Sequence, residues 1–477
     1  MNRMFSLDEI AGAVGGRVVA RGVSDENTAF VGGVSKDTRT IKEGDLYVAI
    51  KGERFDGHDF CEDAVSRGAS VILASDESKL PQKCIAVLVD DTVRALGDLA
   101  RHYRFKINAK VVCVTGSVGK TTTREMVACA LRSSFKVYST KANENNEIGL
   151  PFTILSAPSD TDALVLELGM RLRGEISYLS KIACPDVAII TNVGYSHIER
   201  LGSREEIRLA KTEIIEGLTD NGILAVNADD SFLFDYVRNI LPIGKGLAGV
   251  SVEMDVKTER LNCPMMVSAG NIRFDQGMKF DARCNLSGAI REEKDCRLKV
   301  SGVHNVKNAL FALLVTDLLG GDVRKAKEAL ASYEEMSGRG KISYGTYTVI
   351  NDAYNASPES MEAAFENLKL MNSRGRKIAV LGCVLELGDY APSLHEYIGK
   401  SCGRCGFDHI FVTGDNRDDI VRGILSEDPG ASYTLCEDTE DVEKKLRSFA
   451  EEGDTLLFKA SHAFGFEALS GKFVTEV

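Results

Sequence analysis

Residues 111–127, VVCVTGSVGKTTTREMV, constrain the fold of this chain more than any other stretch. A β-branched apolar run ends in a turn of small residues, and a helical pattern follows the turn. This order predicts a buried strand, a phosphate-binding loop and a helix N-terminus, where free backbone N–H groups favour an anion. We therefore expect a nucleoside triphosphate to bind at Gly116, Ser117, Val118, Gly119, Lys120, Thr121 and Thr122.

Each residue type in this loop suits phosphate binding for its own reason. The two glycines let backbone N–H groups turn toward an anion, and Lys120 adds a positive charge. The hydroxyl of Thr121 is a ligand type that holds Mg²⁺ in such loops. The common loop has about four residues between its first glycine and the Gly-Lys pair, so this one is a compact variety. An ordinary glycine turn before a helix is the alternative.

The bulk composition is that of a large globular protein. The 477 residues exceed what one hydrophobic core usually supports, so we expect two or three domains. A net charge of −12 argues against a nucleic-acid or membrane-surface binder. The first residues lack a sustained apolar region and no apolar run reaches membrane length, so we expect a cytoplasmic protein. The twelve scattered cysteines fit a reducing compartment.

Strand and helix patterns alternate along most of the chain, which predicts an α/β fold. We expect an α/β domain over residues 1–106 and a P-loop domain with a mostly parallel sheet over 107–337. After the SGRGK loop another alternation of strand and helix patterns begins, so we expect a third α/β domain over 338–477.

Three ionisable side chains occupy positions where strands or helices meet the predicted site. Glu167 ends an apolar strand, where an acid beside a P-loop can hold Mg²⁺, although an exposed strand-end glutamate is the alternative. His197 follows the next strand and could be a metal ligand or a hydrogen-bonded structural histidine. Lys211 lies on the apolar stripe of a helix that starts at Ser203. An inward-facing amine there needs an anionic partner or chemical conversion, unless it reaches water.

Two asparagine-rich stretches are further candidates. Asn143, Asn145 and Asn146 precede IGLP in a loop that could contact a polar ligand or only form Asx turns. Asn305 and Asn308 share one face at the start of a helix, where asparagine is also a common cap. In the first domain, the polar residues of the stretch 34–60 could form a binding rim, but composition favours a solvated loop.

Taken together, the motifs resemble those of the Mur ligase family over nearly the whole chain. The matching stretches are DTRTIKEGDLYVAIKGERFDGHDF, VTGSVGKTTTREM, NENNEIGLPFTIL, LELGMRLRGEI, TNVGYSHIERLGS, AKTEI, GVHNVKNAL, NDAYNASPESM, LELG and GDTLLFKAS. The resemblance implies three domains: an N-terminal uridine-nucleotide domain, a central P-loop ATPase, and a C-terminal Rossmann-like domain that closes over the site.

The resemblance also implies roles for individual residues. Lys120 would contact the ATP phosphates, and two Mg²⁺ ions would be held by Thr121 with Glu167 and by His197 with a carbamylated Lys211. Asn305 and Asn308 would lie at the adenine, and Arg339 and Asp352 would reach the nucleotide from the third domain. The residues implied for the acceptor and donor substrates are Ser35, Asp37 and Arg39 near the uridine diphosphate, Asn143, Asn145 and Asn146 at the muramyl peptide, and Asn355 in the dipeptide-adding branch.

The branch that the chain most resembles joins D-alanyl-D-alanine to UDP-N-acetylmuramoyl-tripeptide through an acyl phosphate, as an ATP-dependent ligase acting as a monomer. Two positions depart from the family pattern: Cys383-Val384 replaces a frequent Asp-Met, and His462 replaces a frequent Arg. Both lie in the C-terminal domain, which the resemblance implies helps to bind the incoming amino compound. The alternatives are a diamino-acid-adding or folylpolyglutamate synthetase-like ligase, and a nucleotide-binding switch without ligase activity.

Overall fold

A computed structural model describes residues 4–23, 30–253, 263, 265–286, 289–335 and 338–474. The chain forms three successive α/β domains with mostly parallel sheets, as the alternating pattern predicts. Within the described residues, no helix combines the length and apolar character needed to cross a membrane.

The N-terminal domain is built on a five-stranded sheet. Its elements are β1 (Phe5–Ser6), α1 (Leu7–Val14), β2 (Arg17–Arg21), β3 (Phe30–Val31), β4 (Gly33–Ser35), β5 (Asp45–Val48), α2 (Cys61–Ser66), β6 (Ala69–Ala74), β7 (Cys84–Leu88) and α3 (Thr92–Ile107). The sheet has the order β2-β7-β6-β5-β4 and is parallel except at β2. Ser6 starts α1 with a capping box to Glu9, a local signal that the sequence carries.

Helix α3 ties this domain to the next one. Arg104, buried near its end, donates to the carbonyl oxygens of Ala183 and Cys184 at 3.1 and 2.9 Å. The hydroxyl of Tyr103 donates to the carbonyl of Ala157 at 2.8 Å. The helix therefore belongs by sequence to the first domain and packs on the second.

The central domain carries a nine-stranded sheet. Its elements are β8 (Lys110–Thr115), α4 (Lys120–Leu131), β9 (Val137–Ser139), α5 (Gly149–Leu155), β10 (Ala163–Glu167), α6 (Glu175–Ala183), β11 (Val187–Ile190), α7 (Ile198–Leu201), α8 (Arg204–Thr212), β12 (Ile223–Asn227), α9 (Ser231–Ile240), β13 (Gly246–Ser251), β14 (Met265–Phe274), β15 (Met278–Leu286), β16 (Ala289–Leu298), α10 (Val303–Leu318) and α11 (Val323–Ala331).

The order of this sheet, β16-β15-β14-β13-β12-β11-β8-β10-β9, sets where the site can form. Strands β9 to β14 pair in parallel around β8, and β14 to β16 form an antiparallel meander. Because β8, β10 and β11 are parallel neighbours, the loops at their carboxyl ends converge on one edge. Those loops carry the P-loop, Glu167 and His197.

The C-terminal domain has a six-stranded sheet. Its elements are β17 (Lys341–Tyr344), β18 (Thr348–Asn351), α12 (Pro358–Leu370), β19 (Lys377–Gly382), α13 (Ala391–Gly403), β20 (His409–Thr413), α14 (Arg417–Glu427), β21 (Tyr433–Cys436), α15 (Thr439–Phe449), β22 (Thr455–Lys459) and α16 (Phe466–Gly471). The order is β17-β18-β22-β19-β20-β21, parallel except at β17.

The helix that the sequence pattern places after Ser203 begins as expected but changes its geometry before its end. It is α-helical only to Thr212 and then tightens into a 3₁₀ helix, Glu213–Gly217, although its pattern predicts one helix over residues 203–218. Such tightening satisfies the last backbone groups of a helix, and here the Glu213 carboxylate also accepts from the N–H of Gly174 at 2.9 Å. The predicted boundary at 337 lies outside the described residues.

Candidate functional site

A cavity of about 1320 Å³ lies where the central and C-terminal domains face each other. Its walls come from the loops after β8, β10 and β11 and from the starts of α4, α10 and α12. Eighteen of the predicted site residues line it: Gly116, Ser117, Val118, Gly119, Lys120, Thr121, Thr122, Asn143, Asn145, Asn146, Glu167, His197, Lys211, Asn305, Asn308, Arg339, Asp352 and Asn355.

The phosphate-binding loop is supported from behind by the polar residues after β11. A Cβ on Gly116 would lie 1.9 Å from Thr191 Oγ1, so only glycine fits at this position. The N–H groups of Ser117 and Val118 donate to the Asn192 carbonyl and side chain, at 3.1 and 3.0 Å. The N–H groups in the first turn of α4, which have no intrahelical acceptor, remain suited to an anion.

Lys120 begins α4 directly after Gly119, whose φ of 82° lies in the left-handed region that favours glycine. Its ammonium donates to the carbonyl oxygens of Gly116 and Ser117 at 2.9 and 3.3 Å. Burial lowers the pKa of Lys120, and the charge of Glu167 partly opposes this shift. The amine thus lies over the loop, where a phosphate oxygen would be a stronger partner than a carbonyl.

Glu167 is 2% exposed at the end of β10, so it is not the exposed strand-end glutamate of the alternative interpretation. Its Oε2 accepts from the guanidinium of Arg124 at 3.2 Å, and its Oε1 accepts from the Asn145 amide at 3.0 Å. Each carboxylate oxygen keeps a lone pair for a cation. The amide of Asn145, predicted at the muramyl peptide, is thus engaged with this carboxylate.

His197 and Lys211 bring two nitrogen groups to the same cavity. Burial lowers the pKa of His197, and the charges of Lys120 and Lys211 lower it further. Lys211, on α8, is 1% exposed, and none of the described residues forms an ion pair or side-chain hydrogen bond with its amine. Burial lowers the pKa of Lys211 well below its ordinary value, Lys120 adds to this, and Glu359 opposes it.

The two asparagines of α10 belong to a buried chain of hydrogen bonds. The Thr123 hydroxyl donates to Asn308 Oδ1 at 2.9 Å, and Asn308 Nδ2 donates to Asn305 Oδ1 at 3.0 Å. Asn305 Nδ2 then donates to Glu335 Oε1 at 3.0 Å and to the Ser301 carbonyl at 2.8 Å. Burial raises the pKa of Glu335 to about 8, with the Asn305 hydrogen bond opposing the shift. We call Thr123, Asn308, Asn305 and Glu335 the amide relay.

The C-terminal domain supplies the opposite wall of the cavity. The guanidinium of Arg339 lies 4.2 Å from the centre of the Tyr354 ring, a cation–π distance. Asp352 Oδ2 pairs with the ammonium of Lys459 at 2.8 Å. That ammonium, 1% exposed, also donates to the carbonyl oxygens of Asp352 and Asn355 at 3.1 and 3.3 Å. Lys459 therefore fixes the loop that carries the two predicted residues.

The remaining predicted amides are also held by the protein. Asn143 Oδ1 accepts from the Tyr354 hydroxyl at 2.9 Å, which links the central and C-terminal domains. Asn146 Oδ1 accepts from the N–H groups of Ile148 and Gly149 at 3.2 and 2.8 Å. This is the Asx-turn alternative for Asn146, because its side chain caps the start of α5.

Ser35, Asp37 and Arg39 lie in the N-terminal domain and do not line this cavity. Ser35 Oγ donates to the Asp37 carbonyl at 3.0 Å, and the Arg39 guanidinium contacts the Asp37 carboxylate at 2.9 and 2.6 Å. The Arg39 hydrogen bond lowers the pKa of Asp37 to about 2. The three residues thus form a compact polar cluster apart from the P-loop.

Sequence reasoning missed several residues that the fold brings to the cavity or its support: Arg124, Asn192, Glu335, Glu359, Glu386 and Lys459. Arg124 could have been predicted from the sequence, because it lies four residues after Lys120 and so shares its helix face. Glu386 lies in the quoted LELG motif, and its Oε2 is 3.1 Å from His197 Nδ1. Glu359 and Glu386 reach the central domain only through the docking of two domains. Asn192, Glu335 and Lys459 have their partners in distant parts of their own domain.

Comparison with family models divides the chain into three matches. Residues 31–104 match the Mur ligase family catalytic domain, 114–316 the Mur ligase middle domain, and 338–462 the Mur ligase glutamate ligase domain. The three matches together cover most of the chain.

Similar sequences and structures agree with these matches. A UDP-N-acetylmuramoyl-tripeptide–D-alanyl-D-alanine ligase of Bacillus subtilis is 35% identical over 92% of each chain. A MurF structure from Acinetobacter baumannii has a TM-score of 0.83 at 26% identity and covers 99% of both chains. The MurF ligase of Thermotoga maritima, determined in complex with ADP, has a TM-score of 0.76 at 30% identity and covers 92% of this chain and 98% of that one. The chain therefore belongs to the Mur ligase family.

Proposed function

We propose that this protein is an ATP-dependent ligase that joins D-alanyl-D-alanine to UDP-N-acetylmuramoyl-tripeptide, forming the pentapeptide precursor of peptidoglycan. The observation that carries the proposal is the convergence of a P-loop, Glu167, His197 and Lys211 on one interdomain cavity. A nucleotide-binding switch has no need of this second cluster of ionisable groups. The choice of substrates is supported by relatives named for the same reaction.

Phosphoryl transfer would take place at the N-terminus of α4. A peptide carboxylate is a poor acyl donor, so its oxygen would first attack the γ-phosphorus of ATP, releasing ADP and leaving an acyl phosphate. Lys120 would move from its two carbonyl contacts to the phosphoryl oxygens and offset the charge that develops on them. The first-turn N–H groups of α4 would hold the remaining phosphate oxygens.

The donor atoms fit Mg²⁺ at Glu167 and Thr121. The carboxylate is buried with a free lone pair on each oxygen, and Thr121 follows Lys120 in the first turn of α4. No cluster of three His, Cys, Asp or Glu side chains suited to a metal occurs in the described part of the chain. One protein carboxylate is enough for Mg²⁺, which usually keeps waters and substrate phosphates as its other ligands. When bound, Mg²⁺ would offset charge on the transferring phosphoryl group.

A second ion would be held by His197 and by Lys211 in carbamylated form. The buried amine of Lys211, which has a lowered pKa and no partner among the described residues, is suited to the neutral state that reacts with CO₂. The amine nitrogen would attack the carbon of CO₂ and release one proton, giving a carbamate. Its oxygens are the ligand type that Mg²⁺ prefers, whereas an ammonium cannot ligate a metal.

The second half of the reaction would join the dipeptide. The amine of D-alanyl-D-alanine would attack the acyl carbon, lose a proton, and expel inorganic phosphate from a tetrahedral intermediate. Contacts between the domains, such as Tyr354 to Asn143, would keep water from the acyl phosphate.

The three domains would divide the remaining tasks, with residues 1–106 binding the UDP-muramyl peptide, 107–337 binding ATP, and 338–477 closing the site. Ser35, Asp37 and Arg39 would contact the uridine diphosphate, with Asn305, Asn308, Arg339 and Asp352 at the ATP and Asn143, Asn145, Asn146 and Asn355 at the peptide side. We propose a monomer, since one chain supplies every assigned residue. A cytoplasmic location fits its unpaired cysteines.

A panel of amines in a phosphate-release assay tests the proposal. We expect phosphate release that needs both the muramyl tripeptide and D-alanyl-D-alanine, and a pentapeptide product in mass spectrometry. Faster release with a single diamino acid would move the assignment to the diamino-acid-adding branch, and glutamate addition would move it to a folylpolyglutamate synthetase-like enzyme. Binding of ATP without amine-dependent release would indicate the switch.

A further inference from the structure

The C-terminal domain holds a short segment of the central domain at several points. This segment, residues 194–202, runs from the end of the loop after β11 through α7, and we call it the His197 segment. The hydroxyl of Tyr390 donates to the carbonyl of Gly202 at 2.8 Å, and Glu386 contacts His197 Nδ1 at 3.1 Å. At the other end, the N–H of Tyr195 donates to Glu359 Oε1 at 2.7 Å. Each of these partners belongs to the third domain.

The contact of Glu359 is sterically specific. Glu359 lies in the first turn of α12, and its carboxylate sits against Gly194. A Cβ on Gly194 would lie 2.2 Å from Glu359 Oε1 and 2.3 Å from its Cδ. The approach of the carboxylate to the Tyr195 N–H therefore depends on the absence of a side chain at position 194.

The segment needs support because its backbone is strained. His197 has φ 66°, in the left-handed region that costs a residue with a Cβ. Its ring has to point toward the cavity that also contains Lys120 and Lys211. Hydrogen bonds on both sides of His197 hold it in this strained conformation.

The second oxygen of Glu359 has no partner in the part of the chain that the structure describes. Glu359 Oε2 is buried and accepts no hydrogen bond from any described residue. Its charge nevertheless reaches Lys211, since Glu359 is the carboxylate that opposes the lowering of the Lys211 pKa by burial. Burying an unpaired carboxylate oxygen is costly, so a glutamate is a poor choice here if its only role is to cap a helix.

We propose that Glu359 is a positioning residue that couples the docking of the C-terminal domain to the placement of His197. With the domain docked, its carboxylate fixes the Tyr195 amide and the His197 segment adopts its strained conformation. With the domain undocked, the segment loses these contacts together. The inference rests on the proposed function only where His197 is taken as a metal ligand, because the contact of Glu359 with the Tyr195 N–H needs no metal.

Hydrogen exchange of the full-length protein, followed by mass spectrometry of peptides covering residues 192–202, tests the coupling without activity. Loss of one charge-assisted hydrogen bond should speed exchange of the Tyr195 amide about tenfold in Glu359→Ala. Glu359→Gln keeps an acceptor oxygen but loses the charge, so exchange should rise less than about threefold. Glu362→Ala is the matched control, since Glu362 lies one turn later on α12 and accepts from the Tyr397 hydroxyl instead. Its exchange in 192–202 should equal that of wild type.

A Mg²⁺ titration of turnover separates positioning from general damage. In Glu359→Ala the Mg²⁺ concentration for half-maximal rate should rise severalfold while kcat at saturating Mg²⁺ stays within about threefold, and Glu359→Gln should restore most of the difference. Unchanged exchange in folded Glu359→Ala overturns the coupling even if the wild type makes the pentapeptide. Failure of the wild type to make any amide product would instead overturn the proposed function and leave the exchange result standing.

Discussion

At the scale of single residues, Lys211 gives the most discriminating prediction. Lys211→Ala should be nearly inactive and should regain part of its activity with added short carboxylic acids, which can supply the missing oxygen ligand. Lys211→Arg should stay inactive, because a guanidinium neither deprotonates nor forms a carbamate. Steady-state phosphate release with and without the acids is the measurement.

The same experiment needs a control for non-specific effects of the acids. Lys307 also lines the cavity but pairs with Asp229 at 2.9 Å, so activity lost in Lys307→Ala should not return with the acids. Equal recovery in both variants would contradict the carbamate at Lys211.

Arg124 is the buried cation that orients Glu167, and its removal tests the pair. Arg124→Met leaves the Glu167 carboxylate without its charged partner in the interior, which typically costs about 3–5 kcal/mol. Adding Glu167→Gln in the same background should recover part of this loss, because the unpaired charge is gone. Urea unfolding of both variants gives the comparison.

The matched control for Arg124 lies at the end of the same helix. Arg132 is exposed and contacts Ser139 Oγ at 3.4 Å, so Arg132→Met should change the free energy of unfolding by less than about 0.5 kcal/mol. A similar loss in Arg124→Met and Arg132→Met would show that burial of the Arg124–Glu167 pair is unimportant.

At the scale of elements, the amide relay joins α4 to α10 and to the segment after α11, and it predicts a pH effect on stability. The pKa of Glu335 is about 8 in the folded chain against an ordinary value of 4.5. Between these values the unfolded chain loses the proton and the folded chain keeps it. The free energy of unfolding should therefore fall as pH rises from about 5 to 8, by on the order of a few kcal/mol.

Glu335→Gln removes this titration. The free energy of unfolding of the variant should therefore rise relative to that of wild type as the pH increases across the same window. Thermal or urea unfolding at pH 5 and pH 8 without nucleotide is the measurement. Glu334→Gln, at the neighbouring exposed position, should follow the wild-type profile. Parallel profiles for wild type and Glu335→Gln would show that the buried carboxyl does not hold its proton.

At the scale of the whole molecule, Tyr354 tests whether docking of the third domain assists catalysis. Tyr354→Phe removes the hydroxyl that donates to Asn143 in the central domain and keeps the ring beside Arg339. Loss of about 1 kcal/mol from the docked state should lower kcat/KM by about three- to tenfold. Energy transfer between dyes on the central and C-terminal domains should show a smaller docked fraction.

Tyr344→Phe is the comparison variant, because Tyr344 lies in β17 of the same domain and is 71% exposed. Its kinetics and docked fraction should match those of wild type. If Tyr354→Phe behaves the same way, the hydroxyl bridge does not contribute to closure.

The sequence determined the elements and the chemistry that local pattern controls. Apolar runs fixed β8, β10 and β11, the Gly-Lys-Thr turn fixed the start of α4, and Ser203 fixed the start of α8, because these signals act over a few residues. Glu167, His197 and Lys211 followed as candidates, since each lies at a strand end or on a helix face that points to the site.

Tertiary structure alone decided which partners these groups have. Nothing local in the chain indicates that Arg124 and Asn145 engage Glu167 or that Lys459 holds Asp352. The pairing of the two asparagines of α10 follows from their shared helix face, but their bonds to Thr123 and Glu335 do not. Glu359 and Glu386 reach the His197 segment from more than 150 residues away. The contacts of Glu359 and Glu386 depend on how whole domains dock, whereas the others depend on how distant parts of one domain pack. The energies that select either arrangement are sums over large surfaces that no local pattern encodes.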